Sequence, residues 1–347
     1  MRGVKAGACA LVLTAGTLLP SAAPVFPTVD TGTAPVAELA EFPVLDLQSH
    51  RGGRGEHTEE SLAAFAESLE LGVTTLELDT HLTQDGAVVV WHDDTIKAQK
   101  CRDTAPGTAG DPEYPYVGDR IAELDLAQLK TLDCGFAQLP GFPDQEVVRE
   151  HRIAVLGDVF ALVHRHGASR VRLNIETKVE DGQAGGEGMA ALTRAVVAQI
   201  QCSGLMGRTT VQSFDWSALN LVQELEPRLV VVALAGDARS LGIGARGRAA
   251  QLGGIDIDDH GGSLVRAAAA QGYDAVSPRA GTVTAEMIRQ AREEGVRVIP
   301  WTVNTVPEMK RLMALGVDGM ITDYPSRLRA LMEGQGYRLP PAYPAGG

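Results

Sequence analysis

Residues 45–53, LDLQSHRGG, read as a short apolar strand that ends in an imidazole, a guanidinium and two glycines. His50 can gain or lose a proton near neutral pH, and Arg51 offers a planar fork of hydrogen-bond donors. Glycines at the end of a strand let the backbone approach another group closely. A surface turn could carry these residues by chance, so their meaning depends on which other side chains reach the same place.

Three carboxylates are predicted to reach that place from two further strands. In LELDTHL, Glu77, Asp79 and His81 share one face, because side chains alternate along a strand. In RLNIETK, Glu176 and Lys178 share a face opposite leucine and isoleucine. If the apolar residues face outward towards helices, the carboxylates point into a common interior. Three close anions repel one another unless a cation lies among them.

The chemistry of this trio favours a hard divalent metal. Glu77, Asp79 and Glu176 offer only oxygen, which suits Ca²⁺ or Mg²⁺ better than zinc. The alternative is a protein-only network in which Lys178 neutralises part of the charge.

A second imidazole is predicted to approach the same interior. In QDGAVVVWHDD, Asp85 and Gly86 form a hairpin turn signal, and the strand at 88–91 returns the chain so that it delivers His92. Two histidines beside Arg51 and an acidic trio form a set that can move protons at neutral pH.

The surrounding sequence alternates apolar strands with amphipathic helices, which is typical of an α/β fold. Eight strands are predicted, at 45–49, 74–79, 171–176, 209–213, 229–234, 274–277, 297–302 and 318–322. This rhythm predicts a (β/α)8 TIM barrel, whose functional residues lie at the carboxyl ends of its strands. A doubly wound open sheet is the alternative, but no glycine-rich dinucleotide fingerprint follows the first strand. Residues 93–150 do not follow this alternation of strands and helices, and they predict an inserted lobe after the second strand.

Length and charge narrow the class of protein. The chain has 347 residues and a formal net charge of -13, which argues against nucleic acid and against loose binding to anionic membranes. Residues 1–23 are typical of a signal peptide that is too short for a membrane anchor, so we expect a secreted protein without stable membrane insertion. Residues 24–42 are predicted as a flexible tail, 43–333 as the barrel and 334–347 as a C-terminal tail.

The cysteines are consistent with export. Cys9 lies in the signal peptide, and Cys101 and Cys134 flank the predicted lobe. An oxidising compartment favours a disulfide between these two, although two free buried thiols are the alternative. Cys202 would be the remaining thiol.

Together the motifs resemble the glycerophosphodiester phosphodiesterase family. The matching stretches are HRG at 50–52, the Glu-x-Asp and His-Asp parts of 77–93, NIETK at 174–178, VQSFD at 211–215, IPWTVN at 299–304 and GVDGMITDYP at 316–325. They follow the family's order across 45–331, and the cysteine-bounded segment resembles the secreted actinobacterial branch. The resemblance implies hydrolysis of a small-molecule glycerophosphodiester to an alcohol and sn-glycerol 3-phosphate. The 2-hydroxyl would attack first, and a cyclic phosphate would then be hydrolysed.

The resemblance also assigns roles to residues. It implies that Glu77, Asp79 and Glu176 bind the metal, that His50 and His92 are the general base and acid, and that Arg51, Lys178, Trp301 and Glu59 contact substrate. Gln212 and Asp323 are expected to support them. One departure lies at 58–61, where the family's Pro-Glu-Asn-Thr is replaced by Thr-Glu-Glu-Ser, so that Glu60 stands where the family has an amide.

Two alternative functions remain open at this point. A sphingomyelinase D-like phospholipase would be expected to carry an exposed apolar loop, whereas residues 101–120 are polar apart from two tyrosines. A catalytically silent barrel that binds phosphoglycerol would be expected to lack a histidine or a ligand, and none is missing. The sequence leaves open the leaving alcohol, the choice between calcium and magnesium, the signal cleavage site, the oligomeric state and the role of Cys202.

Overall fold

A computed structural model of the protein describes residues 44–179, 184–244 and 249–345. The predicted signal peptide and the flexible tail that follows it lie outside the described residues.

A closed barrel of eight parallel strands forms the centre of the described chain, as the sequence predicts. Its neighbours follow the order β10, β1, β2, β5, β6, β7, β8, β9. Backbone bonds from Asp318 N to Val298 O (3.0 Å) and from Ile321 N to Pro300 O (3.0 Å) join the two ends of this order and close the barrel. The strands, including two short ones outside the barrel, are β1 Asp46–Ser49, β2 Thr75–Leu82, β3 Val88–Val90, β4 Ala154–Val155, β5 Arg172–Thr177, β6 Thr209–Ser213, β7 Val230–Ala235, β8 Ala275–Pro278, β9 Arg297–Val298 and β10 Gly319–Thr322.

Helices cover the outside of the barrel, and one short helix, α2, lies in the segment 93–150. They are α1 Leu62–Leu71, α2 Leu126–Leu129, α3 Leu156–Arg165, α4 Glu187–Cys202, α5 Trp216–Leu225, α6 Leu264–Ala270, α7 Ala285–Glu294, α8 Val306–Leu315 and α9 Pro325–Gly334. Side-chain caps define several of their starts: Ser61 Oγ accepts the N–H of Ala64 at 3.0 Å, and Thr284 and Thr305 cap α7 and α8 in the same way. These caps fix the residues at which the three helices begin.

The alternation along the strands divides the two faces of the barrel wall as predicted. Leu76 and Leu78 on β2, with Leu173 and Ile175 on β5, are buried against the helices. Truncation of such a leucine to alanine typically costs about 2–5 kcal/mol. The opposite face points into the barrel, where the half beneath β7 to β10 is apolar and contains Val232, Ala275, Ile299 and Ile321.

The other half of the barrel interior is polar and hydrogen-bonded. Asn174 Nδ2 donates to Gln48 Oε1 at 2.9 Å and to Gln212 Oε1 at 2.8 Å, and Gln212 Nε2 donates to Glu77 Oε1 at 2.8 Å. Buried polar groups need such partners, since an unpaired buried group costs about 1–3 kcal/mol. This network leads from the floor of the barrel to the first predicted metal ligand.

The predicted hairpin after the second strand is present. Thr80, His81 and Leu82 pair with Val90, Val89 and Val88 in antiparallel register, and Gly86 adopts the left-handed conformation (φ 85°) that the turn requires. His81 leaves the barrel interior here, because its Nε2 lies 3.2 Å from the carbonyl oxygen of His92.

Residues 93–150, called the lobe below, contribute most of a second hydrophobic cluster, which also contains Val89, Trp91 and Ile153. Cys101 and Cys134 form a disulfide within it, 33 residues apart, and Tyr116, Ile121 and Leu129 are fully buried beside them. The lobe is fastened to the loop between β1 and α1, since Thr58 N donates to Glu146 O at 3.0 Å and Gln145 Nε2 donates to Arg54 O at 2.7 Å.

The segment predicted as a C-terminal tail packs on the barrel up to the last described residues. Tyr343 N donates to the carbonyl of Leu69 at 2.8 Å, and the Tyr343 hydroxyl accepts the N–H of Arg170 at 3.0 Å. These contacts cover the end of the barrel opposite the site. In the described ranges, every helix is too short or too polar to cross a membrane.

Candidate active site

A tight turn after β1 aims the first two site residues. His50–Gly52 forms one 3-10 turn in which Arg51 adopts a left-handed conformation (φ 52°). Gly52 is also left-handed (φ 79°), and a Cβ there would lie 2.9 Å from the Cβ of Ala64. Only glycine therefore fits this position without displacement of α1. The turn directs the backbone N–H of Arg51 to Oε2 of Glu77 at 2.9 Å.

The three predicted metal ligands converge. β2 and β5 are parallel neighbours in which Asp79 pairs with Glu176 and Glu77 pairs with Asn174. One oxygen from each of Glu77, Asp79 and Glu176 lies within 4.8 Å of the other two, and all three side chains are buried. The register of two neighbouring strands therefore assembles the cluster.

Electrostatics within the cluster show an excess of negative charge. Burial, together with repulsion by Asp79 and Glu176, raises the pKa of Glu77 well above its usual range. Burial raises the pKa of Glu176 to about 7 despite the nearby charge of Lys178. Although burial opposes it, the pKa of Asp79 lies well below its usual range because Lys178 and Arg51 favour its charged form. An oxygen-only set of this kind fits a hard divalent cation, which would relieve the repulsion.

Two cations neutralise part of this charge. Lys178 Nζ lies 2.8 Å from Oε1 of Glu176 and 3.5 Å from Oδ1 of Asp79, and Arg51 Nε lies 3.0 Å from Oδ2 of Asp79. The protein-only network considered from the sequence is therefore present in part. Among the described residues, no cationic side chain lies within ion-pair distance of Glu77.

His50 is oriented by a carboxylate from the last strand of the barrel. Its Nδ1 lies 2.5 Å from Oδ1 of Asp323, whose Oδ2 accepts a 2.7 Å hydrogen bond from Nδ2 of Asn304. Burial lowers the pKa of His50 to about 4, and the positive charge of Arg51 acts in the same direction. His50 is therefore a neutral imidazole at pH 7, and its Nδ1–H donates to the carboxylate.

His92 is held in a similar way. Its Nδ1 lies 3.1 Å from Oδ1 of Asp93. Burial opposes ionisation of Asp93, but hydrogen bonds and charge from His92 and Lys100 place the pKa of Asp93 far below its usual range. A charged carboxylate can only accept a hydrogen bond, so Nδ1 of His92 carries the proton. In both histidines Nδ1 is bound to a carboxylate, so Nε2 is the atom that can exchange a proton with a substrate.

A cavity of about 600 Å³ lies at the carboxyl ends of the strands, beside His92 and Glu176. His92, Glu176 and Lys178 line one part of it, and Ser213 and Phe214 line another. Parallel barrels place their active sites at this end, and the volume is within the range of small-molecule sites.

The predicted substrate-binding role of Glu59 needs correction. Its side chain is 4% exposed, and its carboxylate binds Arg51 (3.3 Å), Arg54 (3.0 Å) and Lys100. Burial acts against its ionisation, but these three cations lower the pKa of Glu59 to about 2. Glu59 therefore stays charged and orients the cations rather than contacting a substrate.

Glu60, at the position where the resemblance predicts an amide, is fully buried. Its Oε1 accepts the backbone N–H of Asp79 at 3.2 Å. Burial and the adjacent charge of Asp79 raise its pKa well above the usual range, which favours the neutral form of its carboxyl group. A neutral carboxyl group can accept and donate hydrogen bonds as an amide does, which explains how glutamate is tolerated here.

Trp301 packs beside a residue of the cavity wall, whereas Gln212 contacts a predicted metal ligand. Trp301 packs edge-on against Phe214, with ring centroids 5.4 Å apart, and its Nε1 donates to the carbonyl of Ser277 at 2.9 Å. It therefore supports Phe214, which lines the cavity. Gln212 contacts Glu77, as expected for a supporting residue.

Four contributing residues were not singled out from the sequence. Asp93 follows His92 directly, and Asn304 ends the IPWTVN motif, so the motifs contained a signal for both. Arg54 and Lys100 had none. Lys100 reaches Glu59 across 41 residues of sequence, and only the folded lobe brings them together.

Comparisons with known proteins agree with this geometry. Residues 50–327 match the model of the glycerophosphoryl diester phosphodiesterase family. A glycerophosphodiester phosphodiesterase of Caldanaerobacter subterraneus is 27% identical over 280 residues, which cover 81% of this chain and 94% of that protein. The crystal structure of a candidate glycerophosphoryl diester phosphodiesterase from Silicibacter pomeroyi is 29% identical with a TM-score of 0.72, and the match covers 85% of this chain and 95% of that one.

A more distant structure shares the fold. It is a phosphodiesterase of Oleispira antarctica in complex with the product sn-glycerol-3-phosphate, 19% identical, with a TM-score of 0.60 over 84% of this chain and 97% of that one. The matched family model covers most of the chain, including the two histidines and the three carboxylates. The chain belongs to the glycerophosphoryl diester phosphodiesterase family.

Proposed function

We propose that the protein hydrolyses glycerophosphodiesters to an alcohol and sn-glycerol 3-phosphate. The observation that carries this proposal is the joint position of two Nδ1-bound histidines and a buried carboxylate trio at one barrel end. The histidines can transfer protons, and a cation held by the trio would bind the phosphodiester anion; these are the two requirements of phosphodiester cleavage.

Glu77, Asp79 and Glu176 would hold a divalent cation, Ca²⁺ or Mg²⁺. When bound, the cation would stabilise negative charge on a phosphoryl oxygen and favour deprotonation of a nearby hydroxyl. Lys178 already contacts Glu176 and Asp79. It would contribute a second positive charge beside the phosphoryl oxygens.

The two histidines would divide the proton transfers. His50 is neutral at pH 7, because its pKa is lowered to about 4, and it can accept a proton at Nε2. Burial also lowers the pKa of His92, but a bound phosphodiester carries negative charge that favours the imidazolium. His92 can therefore donate a proton to the leaving alcohol. Arg51 would hold a nonbridging oxygen while Asp79 and Glu59 fix its guanidinium.

The surface of the lobe favours a soluble substrate over a membrane lipid. Within the lobe, Tyr114 is the most exposed large apolar side chain, and only 36% of its surface is accessible. A sphingomyelinase D-like enzyme would need a wider apolar surface to bind a bilayer. We also propose that the protein acts outside the cell, as its first residues and its disulfide suggest.

The test is a substrate panel on protein freed of metal by chelation and then given Ca²⁺, Mg²⁺ or buffer alone. Glycerophosphocholine, glycerophosphoethanolamine and glycerophosphoglycerol are compared with sphingomyelin and lysophosphatidylcholine. Glycerol 3-phosphate from the soluble diesters is detected with a coupled dehydrogenase, and choline released from the two lipids is detected with a coupled choline oxidase. We expect release of glycerol 3-phosphate from at least one soluble diester only when an ion is present. The variant His92→Gln serves as the inactive control.

Two outcomes would decide against the proposed hydrolysis, and a third would decide against its dependence on a metal. Binding of the diesters without release would indicate a phosphoglycerol-binding barrel. Faster cleavage of sphingomyelin than of every soluble diester would indicate a phospholipase. Full activity after exhaustive chelation would exclude the metal.

A further inference from the structure

A single lysine from the lobe lies between two carboxylates that serve the site. Lys100 Nζ contacts the carboxylate of Glu59 and lies 2.5 Å from Oδ2 of Asp93. Its side chain is 15% exposed, and its ammonium group lies 5.5 Å from the centre of the Trp91 ring. These contacts fix the ammonium group on three sides.

Each of the two carboxylates also binds a residue that takes part in the proposed reaction. Asp93 uses Oδ1 to accept the Nδ1–H of His92 at 3.1 Å, so Lys100 engages the oxygen that His92 leaves free. Glu59 uses Oε2 to bind Arg51 and Arg54, so Lys100 again engages the remaining oxygen.

A carboxylate bound through both oxygens cannot rotate about its Cβ–Cγ bond without breaking a contact. Removal of the ammonium group would free Oδ2 of Asp93 and would leave two like charges, Asp93 and Glu59, on either side of the gap. Repulsion between them would turn Asp93 away from His92. His92 would then lose the partner that fixes its tautomer and ring orientation.

Contacts within the lobe fix the position of this lysine. Lys100 and Cys101 both donate their backbone N–H groups to the carbonyl of Lys97 at 2.9 Å, and Cys101 is bonded to Cys134. The lysine therefore sits on a turn that the disulfide anchors to the core of the lobe.

We propose that Lys100 is a positioning residue for the reaction: it locks Asp93 against His92 and so keeps Nε2 of His92 presented to the cavity. The proposal rests on the proposed phosphodiesterase function for its kinetic consequence, but the orientation of His92 can be measured without any reaction.

The kinetic test compares Lys100→Met, which keeps the length of the chain but removes the charge, with Lys100→Arg, which keeps the charge. Loss of an orienting group for one acid–base residue predicts a fall in kcat of about 10–100-fold for Lys100→Met, with KM changed less than about two-fold. Lys100→Arg should restore most of kcat. The matched control is Lys130→Met, a more exposed lysine of the same lobe (38%), which should behave as wild type.

The second readout is ¹⁵N NMR of histidine-labelled, metal-free protein, in which His92→Gln identifies the His92 signals among the eight histidines. The wild type should show the Nδ1–H tautomer of His92, and Lys100→Met should show a mixture of tautomers. Thermal unfolding accompanies both measurements, and Lys100→Gln replaces Lys100→Met if the latter does not fold.

The outcomes separate the two proposals. An inactive wild type whose His92 tautomer still depends on Lys100 would refute the phosphodiesterase function and retain the positioning role. Wild-type kcat and unchanged His92 signals in Lys100→Met would overturn the positioning role. Equal losses in Lys100→Met and Lys100→Arg, with the same decrease in unfolding temperature, would also overturn it, since they would indicate a structural role alone.

Discussion

Nδ1 of His50 lies 2.5 Å from Oδ1 of Asp323, so the first and last strands of the barrel jointly provide one histidine–carboxylate pair. β1 and β10 are parallel neighbours in which Ser49 pairs with Thr322. His50 and Asp323 are therefore the residues that follow this pair, and the strand register alone brings them together. Asn304 fixes the second oxygen of the carboxylate, as Lys100 does for Asp93.

Replacement of Asp323 by asparagine should lower kcat by about 10²–10³-fold, because the neutral amide no longer fixes the proton on Nδ1 of His50. Asp323 also raises the pKa of His50 against the effect of burial, so the substitution should lower that pKa further. Release of glycerol 3-phosphate measures the first effect, and a pH profile measures the second. Asn304→Ala should cause a smaller loss, and a larger loss in Asn304→Ala than in Asp323→Asn would contradict the assignment.

The substitutions Glu77→Gln and Asp79→Asn should each weaken binding of a divalent cation at least about tenfold, because each removes a charged oxygen from the trio. Isothermal titration of chelator-treated protein with Ca²⁺ and with Mg²⁺ measures the effect. Glu67→Gln, which changes an exposed carboxylate on α1, is the control. Unchanged affinity in both site variants would place the cation elsewhere.

The imidazole of His50 should titrate near pH 4 in the folded protein, well below the ordinary value of about 6.5, since burial and Arg51 disfavour its charged form. If His50 is the base, turnover at saturating metal should fall as the pH drops through that value and should be unaffected by His50 ionisation above pH 6. NMR titration of labelled histidines gives the midpoint directly. A midpoint close to 6.5 would refute this electrostatic description.

The buried His151 should make the protein less stable in mild acid. Burial, with the charge of Lys130, lowers its folded-state pKa from 6.5 to about 4. As the pH falls from about 6.5 to 4, the unfolded chain binds a proton that the folded chain does not, so unfolding becomes more favourable. Below 4 both states are protonated and no further stability is lost through this group. The full shift corresponds to an upper limit of about 3 kcal/mol.

The variant His151→Gln should therefore lose less unfolding free energy than wild type between pH 6.5 and 4. Denaturant unfolding at several pH values measures the difference. His164→Gln, which changes an exposed histidine on α3, should follow wild type. Parallel curves for wild type and His151→Gln would show that His151 does not contribute to acid sensitivity.

Removal of the disulfide should destabilise the lobe. Closure of a loop with a sequence separation of 33 residues between Cys101 and Cys134 constrains the unfolded chain by about 3–4 kcal/mol. The double variant Cys101→Ser, Cys134→Ser should unfold at a lower denaturant concentration than Cys202→Ser, which keeps the disulfide. Peptide mapping without reductant should recover the linked pair from wild type, and two free thiols there would refute the prediction.

The barrel could be predicted because strand alternation is a local property. The leucines of β2 and β5 and the intervening carboxylates occupy opposite faces of the wall, so one stretch of sequence indicated both the core and the acidic trio. The eight predicted strands all occur in the structure.

The partners of the two histidines were harder to predict, because they depend on contacts between distant segments. His50 and Asp323 are 273 residues apart, and their contact follows from barrel closure. Glu59 and Lys100 meet only because the lobe folds back on the loop after β1. The acidic position of Glu59 suggested contact with substrate, whereas three cations surround it in the structure.

The pairing of β1 with β10 has a consequence for how the protein gains activity during synthesis. Strand β10 is among the last parts of the barrel to leave the ribosome, and His50 has no carboxylate partner until Asp323 arrives. The acid–base pair is thus completed only after the other seven strands have been made. A C-terminally clipped chain that lacks Asp323 would keep the residues of the carboxylate trio but would leave His50 without its carboxylate partner.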